Sequence, residues 1–375
     1  MELVIGNSLL LIFVIIEIVV LHFVKKQTIP YKEIIINLGS GHILLWVFRG
    51  LEVAAYYNTY KYFSLGLMKS FPFWAIWLSA FVLWDFCFYW LHRLHHKYRL
   101  LWGVHSVHHE GEHFSLSLGI RNSWYSSLTS FPFFIVMAIV GIPADVFVAV
   151  SSIHYFIQFY NHNHLVKKSG WLEYFMVTPS HHRVHHGKNE PYRDKNFSGT
   201  FVIWDKLFNT FQEEMEHKPV IYGVDYDHIS YNPVIVNNAP FVRLYKEKKI
   251  SITTQPKKQI SFPNWMLVSG SLLLFLLLLF YIYFENQHTN MLSVILFLVV
   301  FIGTIGNGLM TDENPWGHYI WVINFLFGAI TIFSWFNPNV LLFDIVIMCC
   351  FIHAIVTQIF LVIQLTSARK KKNAL

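Results

Sequence analysis

The chain has 375 residues, of which 54% are hydrophobic and only 13% are charged. Ordinary soluble domains carry about 25% charged residues, so this composition, with a mean hydropathy of +0.42, predicts a polytopic membrane protein. The net charge of +6 arises from basic residues between apolar runs, as in membrane-flanking loops, which argues against a nucleic-acid partner. The three cysteines also lie in apolar runs, which argues against a disulfide framework or a cysteine-ligated metal site.

Three apolar segments lie before the first histidine cluster. The first, at 3–24, has no preceding basic stretch and no evident cleavage site, so we interpret it as a retained span and not as a signal peptide. The second, at about 38–56, contains Arg49 and Glu52. These two residues are three apart on a helix and are expected to pair, because charges at membrane depth are costly. The third covers about 73–91.

The middle of the chain contains two short apolar runs, at 128–140 and 144–160. A helix as short as the first of them spans only about 20 Å, less than the ~30 Å hydrocarbon core. We therefore expect a helical hairpin that enters the membrane and returns, and not two full crossings. Residues 161–262 are more polar and are expected to lie in water or among the lipid headgroups.

Four further apolar runs complete the chain, near 265–284, 291–310, 317–335 and 340–365. The pattern of apolar runs predicts an all-α integral membrane protein, built as a multi-span helical bundle. We divide it into a catalytic domain at 1–245, a linker at 246–263 and a four-span region at 264–375.

The distribution of basic residues predicts the orientation of this bundle. If Met1 lies outside, then Lys25, Lys26 and Lys32 lie inside, together with all three histidine clusters and the basic run at 369–372. We therefore expect a multi-pass protein whose histidine clusters face the cytoplasm. The compartment would be the endoplasmic reticulum of a eukaryote or the inner membrane of a bacterium.

Histidines concentrate in three clusters, HRLHH at 92–96, HSVHH at 105–109 and HHRVHH at 181–186. On a helix, residues three and four apart share a face, so each cluster is expected to direct two or three imidazoles at one spot. Histidine is the commonest nitrogen ligand of transition metals, and imidazoles from three helix ends suffice for two metal ions. Isolated histidines are more often surface or packing residues, which is our interpretation of His22, His42, His217, His288, His318 and His353.

A metal transporter would also use histidines, but it needs binding sites along a path across the bilayer. Here the clusters gather at one predicted face, which favours an enzyme. Zinc suits closed sites of four ligands, whereas eight or nine imidazoles suit two larger and more open sites, which fits iron without excluding zinc. A cluster at the membrane boundary is placed to meet a lipid, and attack on an unactivated C–H bond needs a redox metal and O2.

Longer motifs surround the clusters: WDFCFYWLHRLHH at 84–96, LLWGVHSVHH at 100–109, RNS at 121–123, QFYNH at 158–162, TPSHHRVHHGKN at 178–189 and KNFSGTFVIWDKLFNTF at 195–211. Together they resemble the fatty acid hydroxylase, or sterol desaturase, superfamily of membrane di-iron oxygenases. The resemblance is strong over about 84–225. QFYNH, TPSHHRVHHG and VIYGV at 220–224 are most similar to the alkylglycerol monooxygenase subfamily.

The resemblance implies two iron ions held by His92, His96, His105, His108, His109, His162, His182, His185 and His186. His95, His164 and His181 are expected to be neighbours of these ligands and not ligands themselves. His113 follows the second cluster and is a candidate to approach the site.

Four further residues are candidates to support the ligands. Asp85 precedes His92 by about two helical turns, and its carboxylate is predicted to accept the distal N–H of a ligand imidazole or to be satisfied by Arg93 or water. Asn196 and Asp205 lie in the stretch that closes the site in the family, although Asp205 could equally cap local backbone. Arg121 is a candidate to neutralise a lipid headgroup or a cofactor anion, or to extend to the membrane surface.

Two positions depart from the alkylglycerol subfamily. An acidic residue usually follows the first cluster, where this chain has Lys97, and a glycine usually occupies the position of Asn209. The reversed charge at Lys97 leaves the ether-lipid substrate and the tetrahydrobiopterin reductant of that subfamily open. The alternative is a hydroxylase or desaturase of a sterol, a fatty acyl chain or an amino-acid-containing lipid. The sequence contains no ferredoxin-like or cytochrome b5-like segment, so a separate electron donor is expected.

Overall fold

A computed structural model describes residues 2–39, 42–227, 230–245, 260–285, 290–336 and 340–373 of the protein. Within these ranges the chain forms fifteen α-helices and one isolated antiparallel bridge between Met176 and Phe201. The helices are α1 Glu2–Val19, α2 Tyr31–Gly39, α3 His42–Phe63, α4 Phe73–Lys97, α5 Arg99–His109, α6 Leu116–Ile120, α7 Ser126–Val140, α8 Ala144–Asn161, α9 Pro179–His185, α10 Ile203–Leu207, α11 Pro233–Tyr245, α12 Asn264–Phe284, α13 Asn290–Thr311, α14 Trp316–Trp335 and α15 Leu341–Asn373.

Seven segments among the described residues are long and apolar enough to cross a bilayer. They are Leu3–Val24, Tyr31–Phe63, Phe73–Lys97, Asn264–Phe284, Met291–Thr311, Pro315–Trp335 and Leu341–Thr366. This set confirms the predicted all-α, multi-span class. Helix α7 has only 15 residues and α8 has 18. Neither is one of the seven candidate spans, as expected for the predicted hairpin.

Charged residues inside two of the spans have partners. The Arg49 guanidinium lies 2.8 Å from the Glu52 carboxylate, which confirms the predicted pair, and the Ser130 hydroxyl donates to the same carboxylate. In α1, the Glu17 carboxylate accepts from the backbone N–H groups of Leu116 and His164. These bonds offset the cost of placing carboxylates away from water.

The two largest hydrophobic cores of the described residues underlie the architecture. One fills the space between α3, α4, α7 and α8, around Trp84 and Phe134. The other joins α12 to α15 with α2, around Trp321 and Phe325. His353 lies in this second core, where its Nδ1 accepts from the Trp321 indole N–H at 3.0 Å, which confirms its assignment as a packing residue. The division of the chain into domains stays a prediction.

Several predicted features fall on residues for which the structure gives no description. They are most of the predicted linker, at 246–259, His288, and the side chains of His42 and of the basic run 369–372. His22 and His217 are exposed and His318 is buried, and all three lie apart from the histidine clusters.

The fold brings the histidine clusters together through a reversal after α4. Tyr98 adopts an extended conformation between α4 and α5, so the end of α4 and the whole of α5 face each other. Pro179 occupies the first turn of α9, where its fixed φ suits a helix start. Asp85, on α4, accepts from the backbone N–H groups of Thr200 and Phe201. The chain after the third cluster is therefore held against α4.

Candidate metal centre

Nine histidines converge in two groups of donor atoms. The five-histidine group contains His92, His96, His105, His109 and His185, and the four-histidine group contains His108, His162, His182 and His186. Within each group the donor nitrogens all lie within 4.8 Å of one another. The structure thus brings every sequence-predicted ligand into one of the two groups, while their binding of a metal stays a prediction.

Each cluster directs two imidazoles at one spot, as expected, and the second and third clusters each send one further histidine to the other group. His105 and His109, four residues apart, share a group, whereas His108 joins the other. On α9 the same rule places His182 with His186 and sends His185 across. Four residues advance the helix by slightly more than one turn and three by slightly less, so the i+3 and i+4 side chains point to opposite sides of residue i. The i+4 histidine therefore joins the same group as residue i, and the i+3 histidine joins the other group.

The spacing of the ring nitrogens matches a coordination shell. The Nε2 atoms of His92 and His105 are 2.9 Å apart, and those of His109 and His185 are 3.0 Å apart. In the other group, the Nε2 atoms of His162 and His182 are 3.0 Å apart. Two nitrogens bound at about 2.1 Å and at right angles around one metal ion would be about 3.0 Å apart.

Backbone carbonyls set the tautomers of four of the nine rings. Nδ1 of His92 lies 2.7 Å from the Phe197 carbonyl, Nδ1 of His108 2.8 Å from the Arg121 carbonyl, Nδ1 of His162 2.8 Å from the Gln158 carbonyl and Nδ1 of His185 3.0 Å from the Lys195 carbonyl. A carbonyl can only accept, so each Nδ1 carries the proton and each Nε2 presents a lone pair.

Two of these lone pairs face each other, and this contact tests whether the site suits a metal. The Nε2 atoms of His108 and His162 lie 3.2 Å apart, although both rings have their proton on Nδ1. Two acceptors at this distance repel unless a cation lies between them. In the five-histidine group, Nε2 of His96 is buried without a hydrogen-bond partner among the described residues. The donor set therefore fits a metal ion in each group.

Burial keeps the rings in the form that binds metal. Desolvation lowers the pKa of His105, His109 and His185 well below the usual value, and neighbouring imidazoles lower it further. Burial also lowers the pKa of His108 to about 4. Neutral imidazole is the ligand form, so at neutral pH no proton has to leave these rings before a metal binds.

One short loop supports three of the five rings in the larger group. Along residues 194–197, the Asp194 carboxylate accepts from Nδ1 of His96 at 3.1 Å, and the carbonyls of Lys195 and Phe197 accept from His185 and His92. Asp194 was not among the residues that the sequence singled out. Its one distinguishing feature, a left-handed φ of +56°, is not visible in sequence.

Asn196 and Asp205 act through this loop. The Asn196 side chain donates to the carbonyls of His181 and Gln212 and accepts from the Gln212 N–H. The Asp205 carboxylate accepts from the N–H groups of Phe197 and Ser198. Both residues hold the backbone whose carbonyls face the imidazoles, which is the local capping role considered for Asp205.

We expect Asp194→Gly to weaken metal binding in the five-histidine group by about 10- to 100-fold, as is typical when an outer hydrogen-bond partner of a ligand is lost. Glycine tolerates the left-handed φ, so the loop keeps its path while His96 loses its acceptor. Asparagine also tolerates this φ and keeps a neutral acceptor, so Asp194→Asn should fall between. Metal retained per chain against increasing chelator measures the effect.

Asp225→Asn is the matched control for this series. Asp225 is exposed and pairs with Arg193, next to Asp194, without contacting any of the nine histidines. Its variant should retain metal as the parent chain does. Equal metal retention by Asp194→Gly and the parent would contradict the role assigned to Asp194.

Asp85 does not bind the ligand imidazole that the sequence predicted as its partner. Its carboxylate accepts from the Thr200 and Phe201 backbones and from the Trp204 indole N–H at 2.8–2.9 Å, while the distal N–H of His92 goes to the Phe197 carbonyl. The helical spacing placed Asp85 on the correct face. A segment from far along the sequence covers this face, and its N–H groups donate to the Asp85 carboxylate.

The expectations that Arg121 neutralises a lipid headgroup or extends to the membrane surface were also wrong. Its side chain is 1% exposed, so it neither reaches a headgroup nor extends to the membrane surface. The guanidinium donates to the Glu110 carboxylate at 2.5 Å, to the Val107 carbonyl at 2.6 Å and to the Asn37 side chain at 3.3 Å. The link to the centre is the Arg121 carbonyl, which accepts from His108.

The neighbouring histidines lie outside both groups. His95 is buried, and its ring centroid lies 5.6 Å from that of His105. His113 faces away, with its ring Nδ1 2.8 Å from the Glu33 carboxylate. His164 and His181 each have a buried Nδ1 without a partner among the described residues. That none of the four binds metal stays a prediction.

The structure gives a reason for one of the two family departures. Asn209 has a φ of +57°, a left-handed conformation that favours glycine and that asparagine tolerates better than other residues. The substitution is therefore compatible with the turn. Lys97 is exposed at the end of α4, and among the described residues no hydrogen bond or ion pair joins its side chain to either histidine group.

Aromatic residues that the sequence did not single out surround the centre. Trp102 is half-buried, with ring centroids 5.1 Å from His96 and 5.4 Å from His109. Phe114 stacks on His162 at 5.6 Å, and Tyr222 stacks on Phe114. These rings cover the imidazoles with apolar surface and limit the access of water.

Comparisons with known proteins agree with this geometry. A family model described as Fatty acid hydroxylase matches residues 77–210, a range that contains all nine converging histidines. The chain is 33% identical over 228 residues to the alkylglycerol monooxygenase of Xenopus tropicalis, covering 59% of this chain and 50% of that protein. It is 36% identical over 192 residues to the Homo sapiens alkylglycerol monooxygenase, covering 50% and 42%.

A bacterial relative matches over a shorter range. The ornithine lipid hydroxylase OlsE of Rhizobium tropici is 30% identical over 135 residues, covering 35% of this chain and 40% of that protein. The chain spans about half the length of the curated relatives it matches. No solved structure matches it.

Proposed function

We propose, on the premise that residues 77–210 form a fatty acid hydroxylase domain, that this chain is an O2-dependent di-iron membrane monooxygenase that hydroxylates a lipid C–H bond. The observation that carries the proposal is the convergence of nine imidazoles into two groups. The group of five draws two of its members from the end of α4, a candidate membrane span. A reaction at this position would have lipid chains within reach.

The donor set suits several transition metals and does not select one by itself. The two groups consist of imidazole nitrogens alone, and imidazole suits zinc, copper, iron and nickel. The reaction class makes the choice: bound in these two groups, iron would supply the O2 activation that attack on an unactivated C–H bond requires. The five-histidine group would hold one iron ion and the four-histidine group would hold the other.

The protein's own contribution is orientation and exclusion of water. The loop at 194–197 holds three rings of the larger group, and the Arg121 and Gln158 carbonyls hold two rings of the smaller one. Fixed Nδ1 protons keep every one of these Nε2 lone pairs directed inward, so the ligands need no rearrangement. Trp102 and Phe114 cover the two groups and keep bulk water from competing with the lipid.

The substrate that we favour is an alkylglycerol. The Xenopus tropicalis and Homo sapiens relatives carry the name alkylglycerol monooxygenase. Hydroxylation of the ether-bearing carbon gives a hemiacetal, which separates into an aldehyde and a glycerol derivative. One oxygen atom enters the lipid and the other leaves as water, so a separate donor must supply two electrons, and tetrahydrobiopterin is the reductant we favour. We place the centre on the cytoplasmic side, in the endoplasmic reticulum or a bacterial inner membrane.

A second candidate keeps the metal centre and changes the lipid. The similarity to the ornithine lipid hydroxylase supports an amino-acid-containing lipid, and a sterol or fatty acyl substrate uses the same C–H chemistry. Lys97, which reverses the charge expected next to the first cluster, is the residue that favours this alternative over the ether lipid.

The test is a direct assay of the purified full chain. We expect about two iron ions per chain, in line with one ion per histidine group. Fatty aldehyde should be released from an alkylglycerol only when O2 and tetrahydropterin are both present. An ornithine lipid in the parallel reaction distinguishes the second candidate. A chain that binds no transition metal after reconstitution would refute both.

A further inference from the structure

An exposed apolar surface lies outside the seven candidate spans. It consists of residues 170–175, with sequence GWLEYF, and residues 203–207, and we call it the aromatic platform. Its outward side chains are between 57% exposed (Ile203) and 71% exposed (Tyr174), and they are Trp171, Tyr174, Phe175, Ile203 and Leu207. We propose that the aromatic platform is immersed in the interfacial layer of the bilayer leaflet beside α4.

The two segments form one unit. Met176 and Phe201 pair as an antiparallel bridge. The Val177 N–H donates to the Thr200 carbonyl at 2.8 Å, and the Val202 N–H donates to the Phe175 carbonyl at 3.0 Å. These backbone groups are satisfied within the protein, so immersion in lipid does not leave them unpaired. Transfer of this surface from water to lipid therefore costs little free energy in lost hydrogen bonds, and the burial of its aromatic side chains is favourable.

Its attachment places the platform beside a membrane span and not beyond its end. Asp85 anchors Thr200, Phe201 and Trp204 to α4. Asp85 lies about 18 Å along the helix axis from the end of α4 at Lys97. The platform therefore joins this candidate span well before its C-terminal end.

The platform is also continuous with the apolar surface of that span. An open groove runs from Leu78 and Val82 on α4 to Trp204 on α10, with Ser79, Leu83 and Phe86 as its other walls. Leu78 and Val82 are exposed apolar residues of a candidate membrane span. The same lipid layer that surrounds these residues thus extends over the platform.

The residue types favour lipid over a protein partner. Tryptophan and tyrosine with flanking lysines are typical of the membrane–water interface. Lys167, Lys168 and Lys206 are exposed around the platform, and the Lys206 ammonium donates to the Tyr174 carbonyl at 3.1 Å. Lysines attract anionic headgroups. In a twofold dimer built on this surface, the same lysines would face each other and repel.

A spin label on the platform tests the proposal. Cys87 and Cys350 are buried, so Cys349→Ala leaves a chain that labels only where a cysteine is added. In liposomes that contain anionic lipid, a nitroxide at Tyr174→Cys should collide readily with O2 and rarely with a nickel chelate. Its depth should be about 5–10 Å below the headgroups. Leu78→Cys is the lipid-facing reference, and Glu216→Cys, at an exposed polar position, is the aqueous one.

Two results would overturn the inference. A Tyr174 label as open to the nickel chelate as the Glu216 label would place the platform in water. Spin–spin broadening that disappears on dilution with unlabelled chain would instead assign the surface to a second copy. The measurement needs neither metal nor turnover, so its outcome and that of the proposed monooxygenase activity are independent.

Discussion

His185→Ala is expected to abolish lipid hydroxylation while the protein still inserts into the membrane. The change removes one of five imidazoles from the larger group, and it also releases the Lys195 carbonyl from its hydrogen bond. Because loss of an outer partner alone costs about 10- to 100-fold, loss of the ligand itself should lower turnover by at least about 100-fold. Metal analysis of the purified variant should show depletion of one ion while the four-histidine group keeps its own.

His181→Ala is the matched comparison. It removes an imidazole from the same helix, one position before a predicted ligand, but its ring lies outside both groups. That variant should keep its full metal content and most of its activity. The reciprocal change, His108→Ala, should deplete the other ion. A His185→Ala chain with unchanged turnover would show that this ring is not a ligand.

Arg121→Met should have the largest effect on stability. Arg121 and Glu110 form a buried ion pair, with side chains 1% and 6% exposed. Removing one partner of such a pair typically costs about 3–5 kcal/mol, because the other charge stays buried in the interior. A denaturant or thermal unfolding titration of the purified protein in detergent measures the loss.

A double-variant cycle separates the interaction energy of the ion pair from the separate contributions of Arg121 and Glu110. Arg121→Met together with Glu110→Met removes both charges, and replacing both partners of a buried pair by apolar residues is often close to neutral. The double variant should therefore recover part of the lost stability, while the Val107 carbonyl and the Asn37 side chain stay without their guanidinium donor. His108 should keep its acceptor throughout, because that acceptor is a backbone carbonyl. If the single variant unfolds like the parent chain, the ion pair does not stabilise the fold.

The membrane class followed from local patterns. An apolar stretch of about 20 residues is readable without any partner, and all seven spans correspond to such runs. The pairing of Arg49 with Glu52 was equally local, because three residues bring two side chains to one face of one helix. The short length of α7 sets it apart from the spans for the same reason.

The partners of Asp85 and Arg121 could not be obtained in this way. Each side chain is satisfied by groups on another part of the chain, for Asp85 by the backbone at Thr200 and Phe201 more than a hundred residues away. Backbone N–H and carbonyl groups have no signature in an amino-acid sequence, since every residue carries them. For the same reason the sequence placed Asn196 near the site but did not reveal that the carbonyls of this loop orient His92 and His185, and it missed Asp194.

The sequence by itself determined that histidines at helical spacing would lie at the end of a membrane span, because spacing and hydropathy are properties of short segments. Only the tertiary structure decided how they divide, with five rings in one group and four in the other. That division depends on how α4, α5, α8 and α9 meet and on which carbonyl receives each Nδ1 proton. Both are set by packing between segments distant in the chain, which no local pattern encodes.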